Sequence, residues 1–375
     1  MLVLKLLHVK ANNFKNCKDG VEIDFVAISK KTAEDKEYEL QEIAEGLYTY
    51  NTLAFVGKNA SGKTTAVELL DMCYKILGNY RLGKSDYSFE KTELLIDFYH
   101  EGYIYRYETV LQNADSIDAG AIFTKQSIRR KKYYKSKLKS IYEEAEFKEF
   151  AVTGELPEDI SNLFFVLKKK EVRAIYYDSF SDGVDVYSFI FDFMKSFNIN
   201  PEILMKTIAI FDENISEFEK QDDHNYQITY CGKQELITDR ELLYRLSSGT
   251  TKGMLIYILM VASLQNGFDL IIDEIENHFH KTLVENMIAL YKDKSVNKKN
   301  ATLIFTTHYC ELLDLFNRQD NIIIARSEDK VYLTNMYTGF DVRPELLKSK
   351  QFYNNVFQTA VNYDALMQLK KELKK

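Results

Sequence analysis

The 375-residue sequence contains no tryptophan, three prolines, fifteen glycines and four cysteines. With so little Pro and Gly there is no low-complexity linker, and no internal repeat is visible. Cys17, Cys73, Cys231 and Cys310 are widely scattered, with no C-x-x-C pair and no metal-ligand spacing. They read as reduced cytosolic thiols rather than a disulfide framework. Long apolar runs are also missing; the longest, Met254 to Leu264, is too short to span a bilayer. The N-terminal MLVLKLLHVKANNF has no long apolar core and no small-residue cleavage site, so no signal peptide is expected. The net charge of −7 means that contact with nucleic acid would need a local basic patch. Apolar and charged contents of 46% and 28% are those of a soluble globular protein of one large domain or two. A cytoplasmic location without membrane contact is expected.

The chain is organised around residues 53–65, LAFVGKNASGKTT. An apolar run precedes Gly57-Lys58-Asn59-Ala60-Ser61-Gly62-Lys63-Thr64, and AVELLDMCYKIL follows with helical spacing. This is G-x-x-x-x-G-K-[ST] in its required context, strand before and helix after. The glycines let the backbone curl so that successive N–H groups, through Asn59, Ala60 and Ser61, face an anion at the helix start. Lys63 would reach the β- and γ-phosphates of a nucleoside triphosphate, and the Thr64 hydroxyl would ligate Mg²⁺.

Residues 2–9 and 21–27 read as two strands joined by a turn, and Glu93–Tyr99 with Tyr103–Leu111 as an antiparallel hairpin. From about 112 to 234 the spacing looks helical. Residues 125–139, KQSIRRKKYYKSKLK, are dense in Lys and Arg and enclose Tyr133 and Tyr134. Arg129, Arg130, Lys131 and Lys132 could hold phosphates while the aromatics stack on bases. The plainer reading is a solvated helix face whose charge is answered by the acidic stretch Glu143 to Glu149. Residues 183–219 read as two helices broken at Asn198 to Pro201, with their Phe and Ile positions in a core or dimer seam.

Three further stretches complete a site. Residues 245–253, RLSSGTTKG, put a Ser-Ser-Gly turn before an apolar helix, a second potential anion cradle. FDLIIDE, 268–274, is a strand ending in two carboxylates: Asp273 suits Mg²⁺, and Glu274 can orient and polarise a water attacking the γ-phosphate. TLIFTTH, 302–308, is another apolar strand, and His308 at its tip could donate a hydrogen bond to that phosphate or water.

GKNASGKT, LSSGT, LIIDE with IENHFH after it, and TTH occur in the order seen in ABC-type ATPase heads. The chain most resembles the prokaryotic overcoming-lysogenization-defect (OLD-like) and AAA-15/AAA-21 ATPases, which include anti-phage and abortive-infection proteins. The resemblance covers residues 1–110 and 236–345. It implies an α/β P-loop fold, a mixed central sheet with an antiparallel β subdomain. Residues 111–235 would be an inserted, mainly helical region, and 346–375 a helical tail. In such heads two protomers sandwich two ATP molecules. Gly57, Gly62, Lys63, Thr64 and Thr65 would then hold phosphates and Mg²⁺. Asp273 would serve the metal, Glu274 would be the catalytic carboxylate and His308 the switch histidine. Ser247, Ser248 and Gly249 would form the signature turn completing the partner's site, with Ser247 and Gly249 touching its γ-phosphate. Glu276 to His280 would cross the dimer interface, with His278 and His280 shaping that loop rather than binding metal. The signature departs from the usual LSGGQ. The glutamine that usually senses Mg²⁺ has no clear counterpart, since Gln112 lacks context, and turnover is expected to be slow. With about a hundred residues after Glu274, the nuclease domain some members carry is not expected here. The leading expectation is an ATP-hydrolysing switch, a homodimer or higher oligomer governing a separately encoded effector such as a nuclease. The alternatives are a DNA-binding clamp of the structural-maintenance-of-chromosomes kind and a nucleotide-gated scaffold with negligible turnover.

Overall fold

Two sheets share one helix between them, and the phosphate loop sits where that helix begins. The structure, a computed structural model, describes residues 4–83, 89–114, 120–178, 186–277, 279–342, 346–359 and 363–374. Strands β1 (Leu4–Asn12) and β2 (Val21–Asp24) pair across the expected turn. A hairpin of β3 (Leu40–Ala44) and β4 (Leu47–Tyr50) fills part of the polar stretch that follows. β5 (Thr52–Val56), buried throughout, leads through the loop into α1 (Lys63–Asn79).

Next come β6 (Thr92–His100), β7 (Tyr103–Asn113), β8 (Ala121–Lys132) and the short β9 (Lys148–Glu149). They extend an antiparallel sheet of order β2-β1-β6-β7-β8-β9. The basic run is therefore a strand through Lys132, not a helix face. Pairing along the whole of β7 satisfies its backbone, and Ala121, Phe123 and Ile128 bury one side. Within this sheet Asp97 is fully buried, and Arg106 grips it with Nε at 2.8 Å and Nη2 at 2.9 Å. Removing one partner of such a pair strands the other charge in a dry interior, at a cost of about 3–5 kcal/mol. Arg106→Ala is expected to lose stability on that scale in urea unfolding. A loss below about 1 kcal/mol would show that His8, 3.3 Å from Asp97, suffices alone.

The second half runs α2 (Phe164–Leu167), β10 (Ala174–Tyr177), α3 (Val186–Ser196) and α4 (Pro201–Phe211). Asn200 caps α4 by accepting the Glu202 N–H at 2.9 Å, and Pro201 takes its first turn as expected. A three-stranded sheet follows, β11 (Ile215–Lys220), β12 (Asn225–Tyr230) and β13 (Lys233–Thr238), then α5 (Asp239–Arg245). The expected helix ends at Phe211, and ISEFEK alternates as a strand instead. Residues 111–235 are thus mixed, with strands at both ends, rather than mainly helical.

α6 (Ser248–Asn266), β14 (Asp269–Ile272), α7 (Lys281–Lys292), β15 (Leu303–Thr307), β16 (Ile322–Ser327) and β17 (Val331–Asn335) follow. α8 (Met336–Gly339), α9 (Lys348–Tyr353) and α10 (Tyr363–Glu372) end the chain. The central sheet has the order β10-β14-β15-β5-β16-β17, parallel except for β17. Its strands are apolar on both faces, as a sheet covered on both sides requires. Phe55, Ile271, Ile304 and Ile323 face α1 and the antiparallel sheet, while Val56, Leu270, Ile272 and Phe305 face α3, α4, α6 and α7. No helix among the described residues is long and apolar enough to cross a membrane.

Candidate functional site

Parallel strands bring their C-terminal ends to one edge, so β5, β14 and β15 deliver the phosphate loop, the Asp-Glu pair and the histidine together. The cleft there has a volume of about 470 Å³ and is lined by residues 59–65, Glu274 and His308. Asn16, Ser327 and Val331, which no sequence pattern singled out, line it too. The loop has no room for side chains at its glycines. A Cβ on Gly57 would meet Ala325 O at 2.4 Å, and one on Gly62, at φ +92°, would meet Val331 Cγ1 at 2.4 Å.

Lys63 is 5% exposed, and its Nζ donates to Gly57 O and Lys58 O, both at 3.1 Å. Burial pushes the ammonium below its ordinary value, opposed by the carboxylates of Glu276, Asp273 and Glu274. Lys63 Nζ also lies 3.2 Å from His308 Nδ1. An ammonium can only donate, so Nδ1 accepts and the ring proton sits on Nε2, which faces Glu274 Oε1 at 3.3 Å. The three groups form one line from cation to carboxylate. Glu274 stands in the left-handed region, φ +49°, anchored by its N–H to Thr306 Oγ1 at 2.7 Å and by Asn277 to Oε2. That bend turns its carboxylate out of the sheet toward the cleft.

Thr64 Oγ1 donates to Asp273 Oδ2 at 2.7 Å, and Thr306 Oγ1 donates to Oδ1. A hydroxyl and a carboxylate touching at the mouth of a phosphate loop are the hard oxygen donors that Mg²⁺ prefers, so these residues fit the metal. Asp178 directly follows β10, whose Tyr177 is in register with Ile272 and accepts the Asp273 N–H through its carbonyl. It therefore flanks Asp273 at the same edge. Four residues of AIYY carried no signal strong enough to place it. Among the described residues no glutamine lines the cleft, Gln112 included.

Glu276 is the other participant that the sequence reading underused. It is 7% exposed, its Oε1 accepts the His308 N–H, and its Oε2 is buried without a partner. It positions the histidine from below. Glu276→Ala is expected to lower turnover about tenfold or more while leaving ATP affinity within a few fold. Glu276→Gln, which keeps the oxygen acceptor, should recover most of that loss; equal defects in both variants would make the charge, not the hydrogen bond, the operative feature.

Ser247, Ser248 and Gly249 do not reach this cleft in their own chain. Ser247 caps α6, accepting the Thr250 N–H at 3.0 Å, and Ser247 and Ser248 are exposed. His280 caps α7 by accepting the Thr282 N–H, and no group of three or more His, Cys, Asp or Glu side chains is placed to hold a metal among the described residues; His278 lies outside them. The basic strand divides by face. Arg129 is spent on Glu108 and Glu144, and Lys131, 9% exposed, donates to Ser140 O at 2.8 Å. Arg130 stacks over Tyr103 at 4.7 Å, and Lys132 lies over Tyr134 at 5.7 Å.

No curated protein matches the sequence. The fold is similar to a crystal structure of an SMC head bound to the C-winged helix domain of ScpA. The two share 14% identity and a TM-score of 0.45, over 88% of this chain and 98% of that one. Residues 53–314, from β5 past the histidine strand, match the family described as "AAA domain, putative AbiEii toxin, Type IV TA system". With well over half its length inside that match, and every motif of the cleft with it, the chain belongs to this family of AAA domains.

Proposed function

We propose that the protein hydrolyses ATP and acts as a switch that dimerises around the nucleotide. The observation that carries this is the line Lys63–His308–Glu274 beside the Thr64–Asp273 pair. Loop N–H groups hold the phosphates, and Lys63 leaves the Gly57 and Lys58 carbonyls for the β- and γ-oxygens. Mg²⁺ at Thr64 and Asp273, when bound, neutralises charge on those oxygens. Glu274 accepts a proton from the attacking water, whose oxygen forms the new bond to phosphorus as the bond to ADP breaks. His308 holds Glu274 through its Nε2–H, and its Nδ1 accepts from Lys63 on the other side.

The signature turn, with Ser247 and Ser248 exposed and outside the lining of its own chain's cleft, supports a role in completing the cleft of a second copy. The family's description names an AbiEii toxin and a type IV TA system; a place in prokaryotic anti-phage defence, as abortive infection exercised through a separately encoded effector, is part of this proposal. The test is the native mass and co-purifying components of Glu274→Gln, expressed with its neighbouring genes and held in Mg²⁺-ATP. An ATP-dependent dimer holding a second protein is expected. A monomer indifferent to ATP would remove the trans role from Ser247 and Gly249. A dimer carrying only DNA would favour the clamp, a reading left with Arg130 and Lys132 once Arg129 and Lys131 are paired internally.

A further inference from the structure

At the edge of the central sheet opposite the nucleotide cleft, where β10 and β14 begin, lies a basin of about 630 Å³. Sites for small molecules usually measure roughly 300–1,000 Å³. The basin is basic, in a protein of net charge −7. Lys168, Lys169, Lys170 and Arg173 come from the segment before β10, and Lys299 from the turn before β15.

Part of that charge is committed. Lys5 pairs with Asp269 at 2.8 Å, both nearly buried, and Arg173 Nη1 meets Glu171 Oε2 at 2.7 Å, with Lys169 at 3.7 Å from the same carboxylate. Lys168, Lys170 and Lys299 are exposed and have no acidic partner among the described residues. In the wall, His100 Nδ1 and Arg173 Nε are buried without a hydrogen bond. Folded proteins seldom leave such atoms unpaired, and each costs about 1–3 kcal/mol where it does occur. Phe197 and Leu167 add an apolar side to the same basin.

We propose that this basin is a second ligand site, which takes a small phosphate-bearing molecule of nucleotide size. Lys168, Lys170, Lys299 and Arg173 hold its phosphates, and its flat apolar part lies against Phe197. The inference does not rest on the ATPase reading. The basin does lie at the far ends of the catalytic elements. Tyr74 of α1 donates to Asp269 at 2.8 Å, and Asp269 begins the strand that leads to Asp273, about 13 Å away by strand rise. The basic segment is itself tied to α1, by Tyr80 Oη to Lys169 O at 2.6 Å and Glu171 N to Gly78 O at 3.2 Å.

Nitrogen-15 histidine NMR separates the two sites, with His100 reporting the basin and His308 the nucleotide cleft. Inorganic pyrophosphate is expected to shift the His100 ring signals saturably. Reversing the three exposed lysines together (Lys168→Glu, Lys170→Glu, Lys299→Glu) should weaken that response on the order of a hundredfold, as loss of charge-assisted bonds predicts. The His308 ring signals of the ligand-free variant should keep their wild-type positions, which shows that the protein is folded whether or not the cleft binds pyrophosphate. Lys299→Gln alone should give a smaller loss. Millimolar pyrophosphate that leaves His100 unmoved would overturn the proposal. So would a His100 response that survives the triple reversal, or one produced only by a 5′-phosphorylated oligonucleotide.

Discussion

Glu274→Gln is expected to lower steady-state phosphate release by about 10²–10⁴-fold, the usual worth of a positioned general base, while Mg²⁺-ATP still binds. The amide keeps the size of the carboxylate and an oxygen for the His308 Nε2–H, now 3.3 Å from Glu274 Oε1. Its second terminus becomes a donor facing Asn277, which can turn its own amide to accept. The left-handed backbone at 274 and its anchor on Thr306 Oγ1 do not involve the side chain, so the geometry survives. Only proton acceptance is lost. Phosphate release at wild-type rates would remove Glu274 from its role. A wild-type protein as slow as this variant would support the scaffold with negligible turnover.

The second large effect is at Lys63. Lys63→Ala should abolish measurable turnover and weaken ATP binding about 10²–10⁴-fold, because two charge-assisted hydrogen bonds to phosphate are lost, each worth about 1.5–3 kcal/mol. Thermal unfolding reads this directly. Nucleotide at a hundredfold excess over its Kd stabilises the folded state by about 2.7 kcal/mol, and that increment should vanish in the variant. In the free protein the change also frees His308 Nδ1 and leaves Asp273, Glu274 and Glu276 without their nearest cation. Lys63→Arg should not rescue binding, since the ammonium sits between two loop carbonyls at 3.1 Å in space shaped for a point charge. Full ATP-dependent stabilisation of the alanine variant would mean that the loop backbone alone holds the nucleotide.

Much of this site was legible because its pieces are local. A phosphate loop is a short segment whose glycines are required by its own curl: Gly62 takes φ +92°, and a Cβ on Gly57 would meet Ser61 Oγ at 2.4 Å. Asp273 and His308 were readable because each ends a short buried strand, β14 or β15, and parallel strands carry their ends to a common edge. The basic run was misread for a related reason. Its charges hide a period of two that appears only when β7 supplies a pairing edge and Glu108 and Glu144 supply countercharge. ISEFEK was misread likewise, because its apolar positions suit either period until β12 pairs with it.

By itself the sequence determined the nucleotide chemistry: the loop, the carboxylate pair, the histidine and the order in which they come. Tertiary structure decided what those residues do to one another. The direction of the Lys63–His308–Glu274 line, the support of His308 by Glu276 and the placing of Asp178 beside Asp273 depend on strands far apart in the chain. So does the basic basin, assembled from the starts of β10, β14 and β15. The physical reason is range. Backbone curl and strand tips are set by a few neighbouring residues, whereas hydrogen-bond direction and pooled charge exist only once the sheet has closed.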